Sequence, residues 1–185
     1  MTDNRRNTSY QSPALAFISI GSNISPQDNV KAALSLLMQQ ARVNAVSTFY
    51  RTEPIDRPQQ DHYFNGVFEI ETDLAPQDIK PCLLEPIETQ LGRERTEDPY
   101  APRTMDLDLI LYNDVVLNQP QIQLPHPDLQ RPFVWVPIQE LLQQGISQTD
   151  LRRRMLTLLP KDPPLESWGE PLKVFTQELR KMLED

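Results

Sequence analysis

Arg103-Thr104-Met105-Asp106-Leu107-Asp108-Leu109-Ile110-Leu111-Tyr112 alternates polar and apolar side chains with a period of two, the repeat of a β-strand whose successive side chains leave opposite faces. Met105, Leu107, Leu109 and Leu111 fall on one face. Asp106 and Asp108 fall on the other, followed by Ile110 and Tyr112. The strand is therefore expected to be covered on both sides at its far end and to present two carboxylates at its start. Same-face neighbours on a strand stand about 7 Å apart, and two carboxylates at that spacing reach a pair of hard cations about 3.5–4 Å apart. Magnesium on nucleotide phosphates is the expected cargo. By itself, Asp-x-Asp more often marks a solvated face or discourages edge pairing. Arg93, Arg95 and Arg103 just upstream shift the balance, because guanidinium groups grip phosphate in fork geometry and stay charged at any working pH.

The chain has 185 residues, 38% of them hydrophobic, which suffices for one well-buried core but falls short of two full domains. A net charge of -8 argues against a nucleic-acid backbone or an anionic membrane as principal partner. The single cysteine, Cys82, excludes an internal disulfide and a thiolate zinc site, and it is read as a small buried hydrophobe. Residues 1–13 are polar and aperiodic, read as a disordered tail without the apolar core of a signal peptide. No run is long enough to span a membrane, so the expected location is cytoplasmic.

From Pro13 onward the pattern gives strand Ala14–Ile20, then Gly21-Ser22-Asn23, then a helix with Ser25 as N-cap, Pro26 first inside and Asp28 three after the cap. Val43–Tyr50 reads as a second strand, 56–62 as a polar loop holding a solvated His62, and Tyr63–Glu71 as a third strand. A helix from Pro76 carries Ile79, Leu83, Ile87 and Leu91 on one stripe, and Pro81 and Pro86 within it predict a kink or break. A short strand, Val115–Leu117, follows the acidic one. A proline-rich loop, 119–132, comes next, and Phe133–Leu142 closes the core. The order β-α-β-β-α-β is that of an α+β, ferredoxin-like sandwich: an antiparallel sheet with both helices on one face and the other face free for a site. Residues 146–185, ending in the amphipathic Leu172, Phe175, Leu179 and Met182, are expected to be helical and packed on a 14–145 domain.

No Gly-x-x-x-x-Gly-Lys loop is present, so side chains and metal must hold any phosphate. His126, between Pro125 and Pro127, either contacts phosphate or ribose or caps a turn. Tyr63 and Phe133 read as core on pattern alone. Asn65, beside Gly66, has an amide suited to reading a planar heterocycle.

Taken together these motifs resemble the 6-hydroxymethyl-7,8-dihydropterin pyrophosphokinase family of folate biosynthesis. The matching stretches are Gly21–Asn23, Ser47–Thr52, Tyr63–Asn65, Ile87-Glu88, Leu91–Arg95, Pro102–Leu109, Leu124–Pro127 and Arg131–Phe133, of which the Pro-Arg-Thr-x-Asp-Leu-Asp run is the most specific. The resemblance implies transfer of pyrophosphate from ATP to the pterin, leaving AMP, by a monomer. It implies two Mg2+ ions on Asp106 and Asp108. It places the pterin between Tyr63 and Phe133, read by Asn65 and by the backbone around Thr52, Pro54 and Ile55. Glu88, Arg95, Arg103, His126 and Arg131 would contact ATP, with Arg93 and Arg103 on the transferring group. Tyr100 stands where the family often has tryptophan, Pro99 where some members have arginine, Glu85 where an amide is frequent, and Glu97 and Asp98 add negative charge. A catalytically silent pterin- or nucleotide-binding relative is the rival expectation.

Overall fold

The chain runs β1 (Ala14–Ser22), α1 (Pro26–Met38), β2 (Arg42–Val46), β3 (Tyr50–Thr52), β4 (Tyr63–Thr72), α2 (Pro76–Ile79), a π-helical turn (Lys80–Leu84), α3 (Glu85–Gln90) and β5 (Asp106–Tyr112). It continues through a hairpin of β6 (Leu117–Gln119) and β7 (Ile122–Leu124), a 3-10 turn (Pro127–Gln130), α4 (Pro132–Gln144), α5 (Asp150–Leu156), β8 (Glu170–Pro171) and α6 (Lys173–Lys181). The computed structural model describes residues 13–98, 100–144, 150–161 and 168–184. The tail over 1–12, Pro99 and the parts of the C-terminal extension at 145–149, 162–167 and 185 lie outside the described residues. Among the described residues no helix is long and apolar enough to cross a membrane.

The main sheet is antiparallel, in the order β5-β1-β4-β3-β8 with β2 also on β4. Its central strand, β1, is apolar on both faces, as a strand covered on both sides must be. Ala14, Ala16, Ile18 and Ile20 meet one layer, formed by Leu34 and Leu37 of α1, Ile79, Leu83 and Ile87 around the π-turn, and Phe175 and Leu179 of α6. Leu15 and Phe17 meet the other, where Val134, Trp135, Ile138 and Leu141 of α4 and Met155 of α5 pack. The second face is therefore not free, contrary to the expectation. Val134, Ile138 and Leu141 recur at helical spacing and need an apolar partner, so α4 covers half of that face. The end where β1 reaches Gly21 lies beyond Leu15 and Phe17.

The acidic strand departs from simple alternation. A bulge shifts the β1–β5 register between Phe17 and Ile18, pairing Ile18 with Leu109 and Phe17 with Leu111. One extra residue reverses the sidedness of everything after it. Leu111 thus joins Ile110 on the α4 side, and Tyr112 turns into the first core, where its hydroxyl donates to the Leu74 carbonyl at 3.0 Å.

The second expected strand is broken into β2 and β3. Phe49 lies in the break, its ring so close to Gly66 that a Cβ there would stand 2.5 Å from it. Backbone groups freed by the break are satisfied from the C-terminal segment, as buried amides require. Phe49 N donates to Thr176 Oγ1 at 2.9 Å, Leu172 N donates to Phe49 O at 2.8 Å, and Arg180 Nε donates to Val46 O at 3.0 Å.

Three smaller expectations change. Ser25 sits at the N-cap of α1 with φ 41° and makes no side-chain cap bond; Asn29 Nδ2 instead donates to Ile24 O at 2.7 Å. Cys82 is exposed, because the widened turn around Pro81 carries it outward. His62 is held between Glu53, 2.7 Å from Nε2, and Arg51, 3.3 Å from Nδ1, because the polar loop folds back beside β3. The expected kink or break at Pro81 and Pro86 takes the form of a π-turn over Lys80–Leu84 within a helix that runs without interruption from Pro76 to Gln90.

Glu69 is 2% exposed on β4, and Arg152 of α5 meets it with Nη2 at 2.5 Å and Nη1 at 3.0 Å. Arg152→Met strands a buried carboxylate, so it is expected to lower stability by about 3–5 kcal/mol. Urea denaturation checks this, and Glu69→Met in the same chain should recover most of the loss.

Candidate active site

β1 ends in the register that builds the site. Gly21 pairs with Asn65 of β4 on one side and with Asp106 of β5 on the other, so three consecutive positions across the sheet form one floor. A Cβ at Gly21 would come within 3.1 Å of Asn65 Oδ1 and 3.9 Å of the Asp106 Cβ, so the missing side chain keeps that floor open. Ser22 Oγ then donates to Thr104 O at 2.6 Å, and Asn23 Oδ1 accepts from Arg103 N at 2.8 Å. Asn23 Nδ2 reaches Gln60 Oε1 and Asp61 O, both at 3.3 Å. The Gly-Ser-Asn motif thus clamps the arginine loop and the 56–62 loop to the end of β1.

Two clefts open here. The first, about 150 Å³, has Asn65 and Thr52 on its floor, joined by a 2.7 Å bond from Asn65 Nδ2 to Thr52 Oγ1, with Tyr63, Phe133, Pro54 and Ile55 around it. The second, about 310 Å³, is lined by Arg93, Arg95, Glu88, Asp108 and Lys80. Asp106 lines both.

Charge is closely paired around that boundary. Arg103 Nη1 stands 2.5 Å from Asp106 Oδ2 and Arg93 Nη2 stands 3.7 Å from Oδ1, with the two guanidinium side chains 16% and 14% exposed. Burial works to lower the Arg103 pKa, but the Asp106 carboxylate outweighs it and holds the group above its ordinary value. Burial raises the Tyr63 hydroxyl, against the pull of the nearby Arg103. Glu88, almost fully buried, accepts from Leu107 N at 2.7 Å and from Lys80 Nζ at 3.1 Å, with Arg95 at 3.5 Å.

The loops at the mouth touch each other. Gln60 Nε2 donates to Tyr100 O at 2.9 Å, Arg57 lies over the Tyr100 ring at 5.4 Å, and Arg57 pairs with Asp98 at 3.4 Å. The Tyr100 amide, followed by Arg57, lowers the Asp98 pKa. The added acid at 98 is therefore turned toward Arg57.

Of the other residues singled out in the sequence, Arg131 lies in the first cleft, 2.7 Å from Asp128 and 5.8 Å above the Phe133 ring centroid. His126 lines neither cleft; its Nδ1 accepts from Asp128 N at 3.2 Å and caps the 3-10 turn. Lys80, Gln60 and the wall position of Tyr100 were not anticipated. Only Pro81 and Pro86 hinted that the chain near Lys80 leaves an ordinary α-helix.

The family described as 7,8-dihydro-6-hydroxymethylpterin-pyrophosphokinase matches residues 17–143. The chain belongs to that family. Within it, the 2-amino-4-hydroxy-6-hydroxymethyldihydropteridine pyrophosphokinase of Synechocystis sp. is 41% identical over 178 residues, covering 86% of this chain and 88% of the relative. The protein of the same name from Bacillus subtilis is 38% identical, covering 70% and 79%. The folic acid synthesis protein fol1 of Schizosaccharomyces pombe is 34% identical over 72% of this chain, which matches 21% of that longer protein.

In this pyrophosphokinase, Glu88 is the buried acceptor that ties α3 to the acidic strand. Glu88→Ala removes the partner of the Leu107 amide and of Lys80 together, and is expected to cost about 2–4 kcal/mol. Denaturant titration checks this, with Glu88→Gln retaining part of the stability because its amide oxygen still accepts.

Proposed function

We propose that the two clefts carry the transfer of pyrophosphate, as one unit, from ATP to 6-hydroxymethyl-7,8-dihydropterin, giving AMP and the pterin diphosphate for tetrahydrofolate biosynthesis. The observation that carries this reading is the position of Asp106, which lines both the aromatic, amide-floored cleft and the arginine-lined one. A flat heterocycle in the first and a triphosphate in the second would meet at that residue.

The pterin hydroxymethyl oxygen attacks the β-phosphorus, the bond from that phosphorus to its bridge with the α-phosphate breaks, AMP leaves, and the hydroxyl proton passes to solvent. Such transfer needs positioning and charge stabilisation more than a nucleophilic side chain. Arg93 and Arg103 supply fixed positive charge at the boundary, and Arg95 and Glu88 extend the nucleotide side; His126 and Arg131, which lie outside the second cleft, would contact ATP only where it extends beyond that cleft. Tyr63 and Phe133 sandwich the pterin, Asn65 reads its edge, and the Thr52–Ile55 backbone completes that reading.

Among the described residues no group of three or more His, Cys, Asp or Glu side chains is placed to cage a metal. A carboxylate pair fits Mg2+, which keeps waters and takes its remaining ligands from substrate phosphates. Asp106 and Asp108 would hold two such ions, whose contribution when bound is to neutralise charge on the triphosphate.

We read the scaffold as a ferredoxin-like βαββαβ sandwich, counting β2 and β3 as one broken strand, with α1 and α2–α3 on one face. On that reading residues 14–145 form the pyrophosphokinase domain and 146–185 an extension packed against it, in a cytoplasmic monomer.

AMP release from ATP should require both the pterin and Mg2+. Asp106→Asn and Asp108→Asn should each lower kcat by about a thousandfold, near 4 kcal/mol of transition-state stabilisation; full turnover in either variant removes the metal assignment. Asn65→Ala should weaken pterin binding about 10- to 100-fold, the scale of one or two lost polar contacts, with ATP binding by calorimetry nearly unchanged.

A further inference from the structure

Lys80 opens the π-turn that follows α2, immediately before Pro81. Its ammonium meets three acceptors: Leu107 O at 2.5 Å, Glu88 Oε1 at 3.1 Å and Asp108 Oδ1 at 3.1 Å. An ammonium has three N–H groups, so the set is complete. Burial works to lower the Lys80 pKa, but Asp108 and Glu88 outweigh it and hold the group above its ordinary value. The π-turn makes this reach: the loop closed by Glu85 N on Lys80 O takes up Pro81, which has no N–H to continue an α-helical ladder.

Every buried or half-buried acid in the second cleft is thus paired with at least one cation, Lys80 being shared by two of them. Asp108 has Lys80, Asp106 has Arg93 and Arg103, and Glu88 has Lys80 and Arg95. The remaining acids of the lining, Glu94 and Asp98, are exposed, Asp98 beside Arg57.

We propose that Lys80 is a resident counter-ion that sets the selectivity of the acidic pair, which admits a divalent cation carried on nucleoside-triphosphate oxygens and discriminates against the bare ion. A bare divalent cation approaching Asp108 gains one carboxylate already neutralised and meets the like charge of Lys80 a few ångströms away, where repulsion in a partly buried site is strong. A metal–triphosphate complex brings net negative charge, so the same lysine and arginines attract it. Lys80 is on this account a selectivity-determining residue acting through Asp108. The proposal rests on the reading of Asp106 and Asp108 as the metal pair.

Mn2+ serves as the probe, its free concentration read by electron spin resonance with the full chain and no nucleotide. Lys80→Met and Lys80→Gln should bind Mn2+ at least about tenfold more tightly than wild type, because the carboxylate loses its internal cation. Lys80→Arg should match wild type. The gain should vanish when Asp108→Asn is added to Lys80→Gln. Lys80→Gln keeps a donor toward the Leu107 carbonyl, so the test stands even where Lys80→Met loses its fold. Unchanged or weaker Mn2+ binding in a folded Lys80→Gln overturns the proposal, as does a gain that survives Asp108→Asn. Mn2+ binding by wild type with α,β-methylene-ATP, lost in Asp108→Asn, tests the metal pair separately; its absence in wild type overturns both.

Discussion

Pairing β1 between β4 and β5 so that Gly21 stands opposite both Asn65 and Asp106 places an amide and a carboxylate on one floor, separated by a residue without a side chain. A slip of β1 by one residue would turn Gly21 into the helical layer and bring a residue with a side chain, such as Ser22, between Asn65 and Asp106. That register is held by burial on both faces of β1, and it is independent of any contact within the site. The apolar half of the strand therefore determines the chemistry of its polar end.

Much of this was legible because a period of two is a local signal. The alternation from Met105 to Leu109 correctly separates the carboxylates from the core, and the paired prolines mark the region where the helix after Pro76 widens into its π-turn. The bulge at Ile110 was not legible: Ile110, Leu111 and Tyr112 are all apolar enough for either face, and only pairing with Phe17 and Ile18 decides between them. The same holds for α4. Its residues read as core, but which core they join depends on Leu15, Phe17, Val67 and Leu111 being presented together by three strands. Lys80 was missed for a related reason, since its partners Glu88, Leu107 and Asp108 lie 8, 27 and 28 positions away and meet only through the π-turn.

The C-terminal segment shows how a region without site residues still bears on the site. The break between β2 and β3 lets Phe49 press on Gly66 and frees backbone groups that α6 and its approach then satisfy. Glu140 of α4 adds to the clamp, accepting from Thr48 N at 3.0 Å and from Arg180 Nη2 at 2.8 Å. β3 continues directly into Thr52, Pro54 and Ile55. Its outer edge is closed by β8, and Gly169 lies so near that a Cβ there would come within 3.2 Å of the Thr52 side chain. Losing these contacts would loosen Thr52 on the floor of the first cleft together with the Pro54 and Ile55 wall that follows it.

A net charge of -8 conflicts with anionic substrates only when charge is averaged over the surface. Arg93, Arg95, Arg103 and Lys80 are gathered at one end of the sheet, and the three buried or half-buried acids beside them, Glu88, Asp106 and Asp108, are held in ion pairs with them. Attraction between exposed charges fades beyond about 8–10 Å at physiological salt, so the acidic remainder of the surface counts for little at the cleft itself. It counts at longer range, where it weakens capture of free polyanions such as nucleic acid. The division between an acidic exterior and a cleft whose buried acids are each paired with a cation therefore favours a small, metal-compensated anion over a large bare one.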